Sequence, residues 1–206
     1  MTKEKVVLMM GCSLPPERRT RESVPASAKA STNCRGLSAE DYARNLQKIY
    51  TVKTVQEFWQ VYNNIPSVEQ LDINYNYHLM RKELRPIRED QAHKDGGSWR
   101  CKCFVHLTKS IWEDILLAAI GEQLSDDPTE LLGVSVALRQ NEHIIQIWHS
   151  KANAQHESQI PEKLEHVVND KDFSVRCYKA HHSLSSYHGG SGNNGGRSGR
   201  SGNRIF

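Results

Sequence analysis

Apolar and polar positions follow two different periods along this chain, and the switches between them mark a series of short strands interrupted by helices. Lys5 to Met10 is a short apolar run that predicts a strand, and Gly11 to Gly36, rich in Pro, Ser, Thr and Arg, predicts a long mobile loop. Asn45 to Val52 is strand-like; Thr54 then offers an N-cap to a helix over Val55 to Asn63, with Pro66 just past its end. Alternation over Asn74 to Met80 and over Trp99 to Val105 predicts two more strands, joined by a long polar segment that carries Arg88 and Glu89. Ser110 to Gln123 reads as a second helix, capped by Thr108 or Ser110, with Ile111, Trp112, Ile115, Leu116 and Ala119 as its core stripe. Leu131 to Leu138 and His143 to Trp148 predict a hairpin across the polar turn Arg139 to Glu142. Pro161 to Val168 reads as part of a third helix and Phe173 to Tyr178 as a last strand. Strands in meander with three helices predict an α+β layer, an antiparallel sheet covered by helices on one face.

The expected domain runs from 37 to 183. Before it, residues 1–36 read as a poorly conforming strand and a mobile loop. After it, residues 184–206 read as a flexible Gly/Ser/Arg-rich tail, too poor in apolar surface to fold alone. With 206 residues the chain suits a single core. Its formal net charge of +3 is matched by Arg197, Arg200 and Arg204 in a tail without acids, so the remainder is near neutral. That argues against DNA or any long duplex as ligand and leaves room for a short, locally gripped phosphate chain.

The five cysteines are odd in number and lack a disulfide-framework spacing, which predicts a reducing, intracellular home. Cys101 and Cys103 point to one face of a strand with no second ligand pair behind them, so they read as plain thiols rather than a metal site. No apolar run approaches the roughly 20 residues of a membrane span, so a soluble protein is expected. The ten histidines show no nucleophile or zinc spacing, and no Gly-rich loop separates a strand from a helix. Neither catalysis nor a cofactor is expected.

One segment departs from this plain reading. Residues 85 to 99, Arg-Pro-Ile-Arg-Glu-Asp-Gln-Ala-His-Lys-Asp-Gly-Gly-Ser-Trp, follow the helix that carries Phe58 and Trp59. Together with Val61-Tyr-Asn-Asn-Ile-Pro66, Tyr77-His-Leu-Met-Arg81, Ala119-Ile-Gly-Glu-Gln123, Gly133-Val-Ser-Val and Ile145-Gln-Ile-Trp148, that run resembles the mRNA cap-binding eukaryotic translation initiation factor 4E family. The type 3 branch is the nearest, and the likeness covers roughly Asn45 to Tyr178. The resemblance implies a curved antiparallel sheet of about eight strands, with three helices on the convex face and a cap slot on the concave one. It also implies a cytoplasmic translation initiation factor, with room for a nuclear pool, that binds the capped 5′ end of mRNA and takes part in regulating protein biosynthesis.

A methylated guanine carries a delocalised positive charge, so aromatic faces attract it while a carboxylate accepts hydrogen bonds from its edge. By resemblance, Tyr42 stands for the first aromatic, Arg88 for the second, Glu89 for the edge reader, Trp148 beside the methyl group and Arg139 for a phosphate contact. Arg88 is the departure, because the family has tryptophan there and a guanidinium repels the charge that marks the methylated base. Losing one stacking platform costs about 1–3 kcal/mol, roughly 5- to 150-fold in affinity. Arg88 could instead pair with the triphosphate or with Glu89. Asn141 and Ile144 replace two phosphate lysines, which lowers phosphate affinity unless Arg197 or Arg200 compensates. Taken alone, Tyr42, Glu89 and Arg139 also read as surface residues and Trp148 as core, with Trp99 and Trp112 assigned to the core.

The helices offer a second site. Phe58, Tyr62 and Ile65 share one helical face, with Val55 and Trp59 as an apolar edge beside it, while the second helix leaves Leu117, Ile120 and Gly121 off its core stripe. By resemblance, Val55, Trp59, Glu113, Asp114, Leu117, Ile120 and Gly121 receive a Tyr-x-x-x-x-Leu-aliphatic helix of the scaffold initiation factor 4G or of 4E-binding proteins. Two functions stay open: a weakened cap binder that recruits such a partner, and a cap-incompetent adaptor that sequesters partners and so regulates translation.

Overall fold

The computed structural model describes residues 5–13, 37–153, 158–168 and 174–181. Among them, seven strands form one antiparallel sheet: β1 (Val6–Cys12), β2 (Gln47–Val52), β3 (Tyr75–Arg81), β4 (Gly97–Cys103), β5 (Leu131–Ala137), β6 (His143–His149) and β7 (Ser174–Ala180). Their order across the sheet is β2-β1-β3-β5-β6-β4-β7. Four α-helices accompany them: α1 (Ala39–Asn45), α2 (Val55–Tyr62), α3 (Thr108–Ile120) and α4 (Ile160–Val167). The α+β architecture agrees with the sequence reading, with seven strands in place of about eight and four helices in place of three. Of the expected loop Gly11 to Gly36, Gly11 and Cys12 belong instead to β1, where they pair with β3; residues 14–36 and the expected tail 184–206 lie outside the described residues.

The additional helix is α1. It has no buried residue and hence no apolar period to betray it; it is held by local polar contacts instead. Ser38 Oγ accepts from the Asp41 amide at 3.1 Å, and Arg44 pairs with Asp41 at 3.1 Å one turn on. α2 is capped as the sequence predicts: Thr54 Oγ1 accepts from the Glu57 amide at 3.1 Å, and the Glu57 carboxylate accepts from the Lys53 amide at 2.8 Å. α3 departs from expectation, because neither Thr108 nor Ser110 caps it. Thr108 Oγ1 donates to the Phe104 carbonyl at 2.9 Å and meets His143 Nδ1 at 2.8 Å, fastening the helix start to β6.

Alternate residues of each strand serve opposite faces. Tyr77, Leu79, Val134, Val136, Ile145, Ile147, Cys101 and Cys103 join Phe58, Ile111, Trp112, Ile115 and Leu116 in the main core under the helices. Burial pushes the Cys101 thiol up to about 12, as befits an inert core thiol. Trp99 and Trp112 are core residues, as expected. Arg81 is buried in this layer, donating to the Pro128 carbonyl at 2.9 Å and the Ala119 carbonyl at 3.3 Å, with the Glu122 carboxylate 4.0 Å away. On the other face, the register lines up His78, Ser135, Gln146 and Arg100 in a polar row across four strands.

Trp112 is fully buried at the centre of the helix-covered layer. Trp112→Ala is expected to cost about 3–5 kcal/mol, read as a lower urea midpoint at unchanged slope; a loss below 1 kcal/mol would mean that α3 is not the clamp on this core.

Candidate functional site

The open face holds a cleft of about 240 Å3. Tyr42, Arg88, Glu89, Arg139 and Trp148 all line it, brought together from α1, the β3–β4 loop, the end of β5 and β6. Asn76, His78, Arg100, Ser135 and Gln146 line it as well, and the sequence reading passed over all five. The available signal was the second, polar phase of strands whose other phase is apolar.

Tyr42 stands on α1. Its hydroxyl lies 2.8 Å from His78 Nε2 and accepts from the Asn76 amide at 3.1 Å. Burial pushes that phenol up to about 12, so it stays neutral and available for hydrogen bonding. Gly11 of β1 makes the approach feasible, since a Cβ there would sit 2.9 Å from the Tyr42 hydroxyl and 3.0 Å from Leu46 Cδ2. His78 Nδ1 meets Ser135 Oγ at 2.6 Å, and that oxygen accepts from Trp148 Nε1 at 2.8 Å. At the other end, Arg139 donates to Asn76 Oδ1 at 3.1 Å and to the Leu138 carbonyl at 2.7 Å. One hydrogen-bonded chain thus runs from Trp148 through Ser135, His78, Tyr42 and Asn76 to Arg139.

The segment bearing Arg88 and Glu89 is braced from below. Arg85 grips Asp90 with two bonds of 3.0 and 2.9 Å, and the Arg85 carbonyl accepts from His93 Nε2 at 2.7 Å. Pro86 and Ile87 are buried, and Lys82 and Glu83 turn the chain at positive φ, 55° and 58°. Arg88 is directed inward and donates to Gln146 Oε1 at 3.5 Å. It forms no ion pair with Glu89, which makes no hydrogen bond among the described residues and keeps its carboxylate free at the rim. Trp148 is buried, with the rings of His93 and His181 at 5.0 and 5.3 Å.

The cleft is positively charged. Burial, together with the neighbouring Arg100, lowers the Arg88 guanidinium to about 10, and burial lowers Arg100 and Arg139 as well. Glu89 is the one acid among the lining residues, and its charge favours the ionised form of Arg88. Among the described residues no cluster of three metal-ligating side chains occurs, and no helix is long and apolar enough to cross a membrane.

The second site lies on the helices. Val55 is 41% and Leu117 51% exposed, Trp59 and Ile120 are half-buried, and Asp114 and Gly121 are exposed. Phe58, Trp59 and Tyr62 pack ring against ring at 5.1 to 5.6 Å, which fixes the Trp59 indole. Burial and the nearby Glu113 carboxylate both raise the Tyr62 phenol. All seven residues expected for partner docking fall on α2 and α3 or at the end of α3.

Residues 23–194 match the family model described as Eukaryotic initiation factor 4E. The chain is 31% identical over 139 residues to a eukaryotic translation initiation factor 4E of Candida albicans, covering 65% of this chain and 66% of that protein. It is also 31% identical over 118 residues to the eukaryotic translation initiation factor NCBP of Oryza sativa subsp. japonica, covering 57% of this chain and 52% of that one. The chain thus spans between about half and two thirds of these curated relatives. A solved complex of C. elegans eIF4E-3 with the 4E-binding protein Mextli and cap analog superposes with a TM-score of 0.68 at 21% identity, covering 89% of this chain and 94% of that one.

Buried histidines, His78 in the hydrogen-bonded chain and four others outside it, make the stability of the fold depend on pH. Burial lowers His78 to about 3 and His181 to about 4, and lowers His93, His143 and His149 in the same direction. Each binds a proton more readily when unfolded, so the stability they contribute is complete above the ordinary imidazole pKa and is lost as pH falls toward the folded values. Each such group steepens the loss by up to about 1.4 kcal/mol per pH unit. Denaturant midpoints are expected to drop steadily from pH 7 to pH 4.5, less steeply in His78→Gln; a flat profile would contradict burial of these rings.

Proposed function

We propose a function from one premise: the chain belongs to the eukaryotic initiation factor 4E family, whose members are non-enzymatic translation factors. On this reading the cleft receives the 5′ cap of mRNA in the cytoplasm, and the α2–α3 surface recruits a helical partner, the scaffold initiation factor 4G or a 4E-binding protein. The observation that carries it is the convergence of Tyr42, Arg88, Glu89, Arg139 and Trp148, distant in sequence, on one cleft with an unpaired carboxylate at its rim. Glu89 would accept from the guanine edge, Tyr42 would offer its ring to the base, Trp148 would back the methyl group, and Arg139 would meet the phosphates. Assignment to the type 3 branch belongs to the same proposal, supported by the likeness to the eIF4E-3 fold.

Binding would be weak and poorly selective for the methyl group. Arg88 supplies a planar surface but repels a cationic base, and the nearby Arg100 adds to that repulsion. This same observation favours the second reading, an adaptor without useful cap affinity that retains the apolar patch of Val55, Trp59 and Leu117 and sequesters partners. The solved C. elegans relative holds both a 4E-binding protein and a cap analog, which supports a protein-docking surface distinct from a nucleotide slot.

Titration with methylated and plain guanosine triphosphate at fixed salt, followed by tryptophan fluorescence, separates the two. Saturable quenching is expected, lost by at least tenfold in affinity in Glu89→Ala and strengthened about 5- to 150-fold in Arg88→Trp. Trp59→Ala is expected to abolish binding of a Tyr-x-x-x-x-Leu-aliphatic peptide while the nucleotide titration persists. A folded protein that binds the peptide and neither nucleotide is the adaptor.

A further inference from the structure

The two aromatic rings of the cleft reach it from different elements, Tyr42 from α1 and Trp148 from β6. The first of these elements is poorly founded. α1 has seven residues and buries none of them, so no apolar face docks it on the sheet. It also stands between two open spaces: the cleft, lined by Ala39 and Tyr42, and a second hollow of about 250 Å3, lined by Ala43 and Leu46 with Val7 and Met9 of β1. A helix this short does not hold its shape alone in water, so a contact outside it must supply the anchor. We propose that His78 is the positioning residue of the slot: one buried imidazole fixes the Tyr42 ring and the Trp148 ring in a common geometry before any ligand arrives.

The register sets His78 on the open face between Met9 of β1 and Ser135 of β5, where it is buried. Its rigid ring carries nitrogens on two edges, and each meets a different partner: Nε2 the Tyr42 hydroxyl at 2.8 Å, Nδ1 the Ser135 hydroxyl at 2.6 Å. Ser135 Oγ accepts in turn from Trp148 Nε1 at 2.8 Å, which joins phenol and indole through two side chains. The imidazole also meets the Tyr42 ring edge-on, at 86° with centroids 6.3 Å apart, and so sets the tilt of the phenol as well as the place of its hydroxyl. Asn76 donates to the same hydroxyl at 3.1 Å, but its other bonds go to Ser13 and Arg139; among the described residues, His78 is the side chain that bonds toward both rings. An aliphatic residue at 78 would bond neither neighbour, and a single hydroxyl would not span the two.

Fixing a side chain ahead of binding removes an ordering cost, about two- to tenfold in affinity for each ring. This role deepens the slot reading and rests on it for the nature of the ligand, a planar base, so one arm of the test uses no ligand. Amide hydrogen exchange over Tyr42 to Asn45, measured on the full chain, reads the docking of α1. Exchange is expected to quicken at least about fivefold in His78→Leu, in Tyr42→Phe and in Gly11→Ala, where a Cβ would stand 2.9 Å from the Tyr42 hydroxyl. The amides of Val134, Val136, Ile145 and Ile147 should keep their rates, which separates a released helix from a weakened fold. In His78→Gln, whose amide can still bond one neighbour, part of the protection should return. In the second arm, affinity for plain and methylated guanosine triphosphate is expected to fall about three- to tenfold in each variant, and His78→Leu should add less than about twofold once Tyr42→Phe is present.

Wild-type exchange rates over α1 in His78→Leu or in Gly11→Ala would overturn the assignment. So would affinity losses that multiply in full between His78→Leu and Tyr42→Phe, because His78 would then be a ligand contact rather than a positioning residue. Faster α1 exchange in the variants, with no nucleotide response even in the wild type, would uphold the positioning role and remove the cap reading. If His78→Leu does not fold, Gly11→Ala decides both arms, since it displaces the phenol and leaves the imidazole in place.

Discussion

A sheet covered by helices on one side and opened into a cleft on the other must pair the polar atoms of its open face with little help from bulk water. In this protein that pairing closes at His78. Its two ring nitrogens meet Ser135 at 2.6 Å and Tyr42 at 2.8 Å, and through them connect Trp148 at one end to Asn76 and Arg139 at the other. A neutral imidazole offers one donor and one acceptor, and burial keeps it neutral. If Nε2 carries the proton, Tyr42 accepts from both His78 and Asn76 and its own hydroxyl hydrogen is released toward the cleft. If Nδ1 carries it, Ser135 is the group with a hydrogen to spare. A protonated ring would donate in both directions, but burial and the nearby Arg139 disfavour that charge, so the chain that places Tyr42 and Trp148 is closed by a neutral side chain.

The charge of the cleft follows from the same confinement. Arg88, Arg100 and Arg139 are each partly sheltered, and none of the three forms an ion pair among the described residues. An exposed cluster of this kind would be screened by salt within about 8–10 Å. Partly buried, it retains its field and favours anionic ligands over cationic ones. On the proposed reading, that bias would work against the feature that distinguishes a methylated guanine, so Arg88 would do more than remove a stacking surface.

Most of the architecture was legible because it rests on periodicity. β3, β5, β6 and the core stripe of α3 alternate or repeat cleanly, and the Thr54 cap announces α2. α1 escaped because nothing on it is buried, so it has no apolar phase; its cap is Ser38, and Tyr42 anchors it from the side. The ends of α3 were misjudged because Thr108, which resembles a cap in sequence, donates to a carbonyl and meets His143 instead. Of the candidate site, the five residues named by resemblance do converge. Asn76, His78, Ser135, Gln146 and Arg100 did not emerge, since their proximity depends on strand register across β3, β5, β6 and β4, which local pattern does not reveal.

That register also separates the two candidate functions. On β3, Asn76 and His78 face the cleft while Tyr77 and Leu79 pack with the helices, and β5 and β6 divide their residues in the same way. Exchanging a cleft residue therefore leaves the opposite phase of the same strand untouched, and the sheet backbone, pinned on both sides, transmits little of the change. Arg88 sits on a loop braced by Arg85, Asp90 and His93 and lines the cleft, which Val55, Trp59 and Leu117 do not. A chain built this way can change its cleft residues without cost to the α2–α3 surface. The cap-binding and adaptor readings are for that reason two settings of one scaffold, distinguished by what the open face holds while the covered face stays the same.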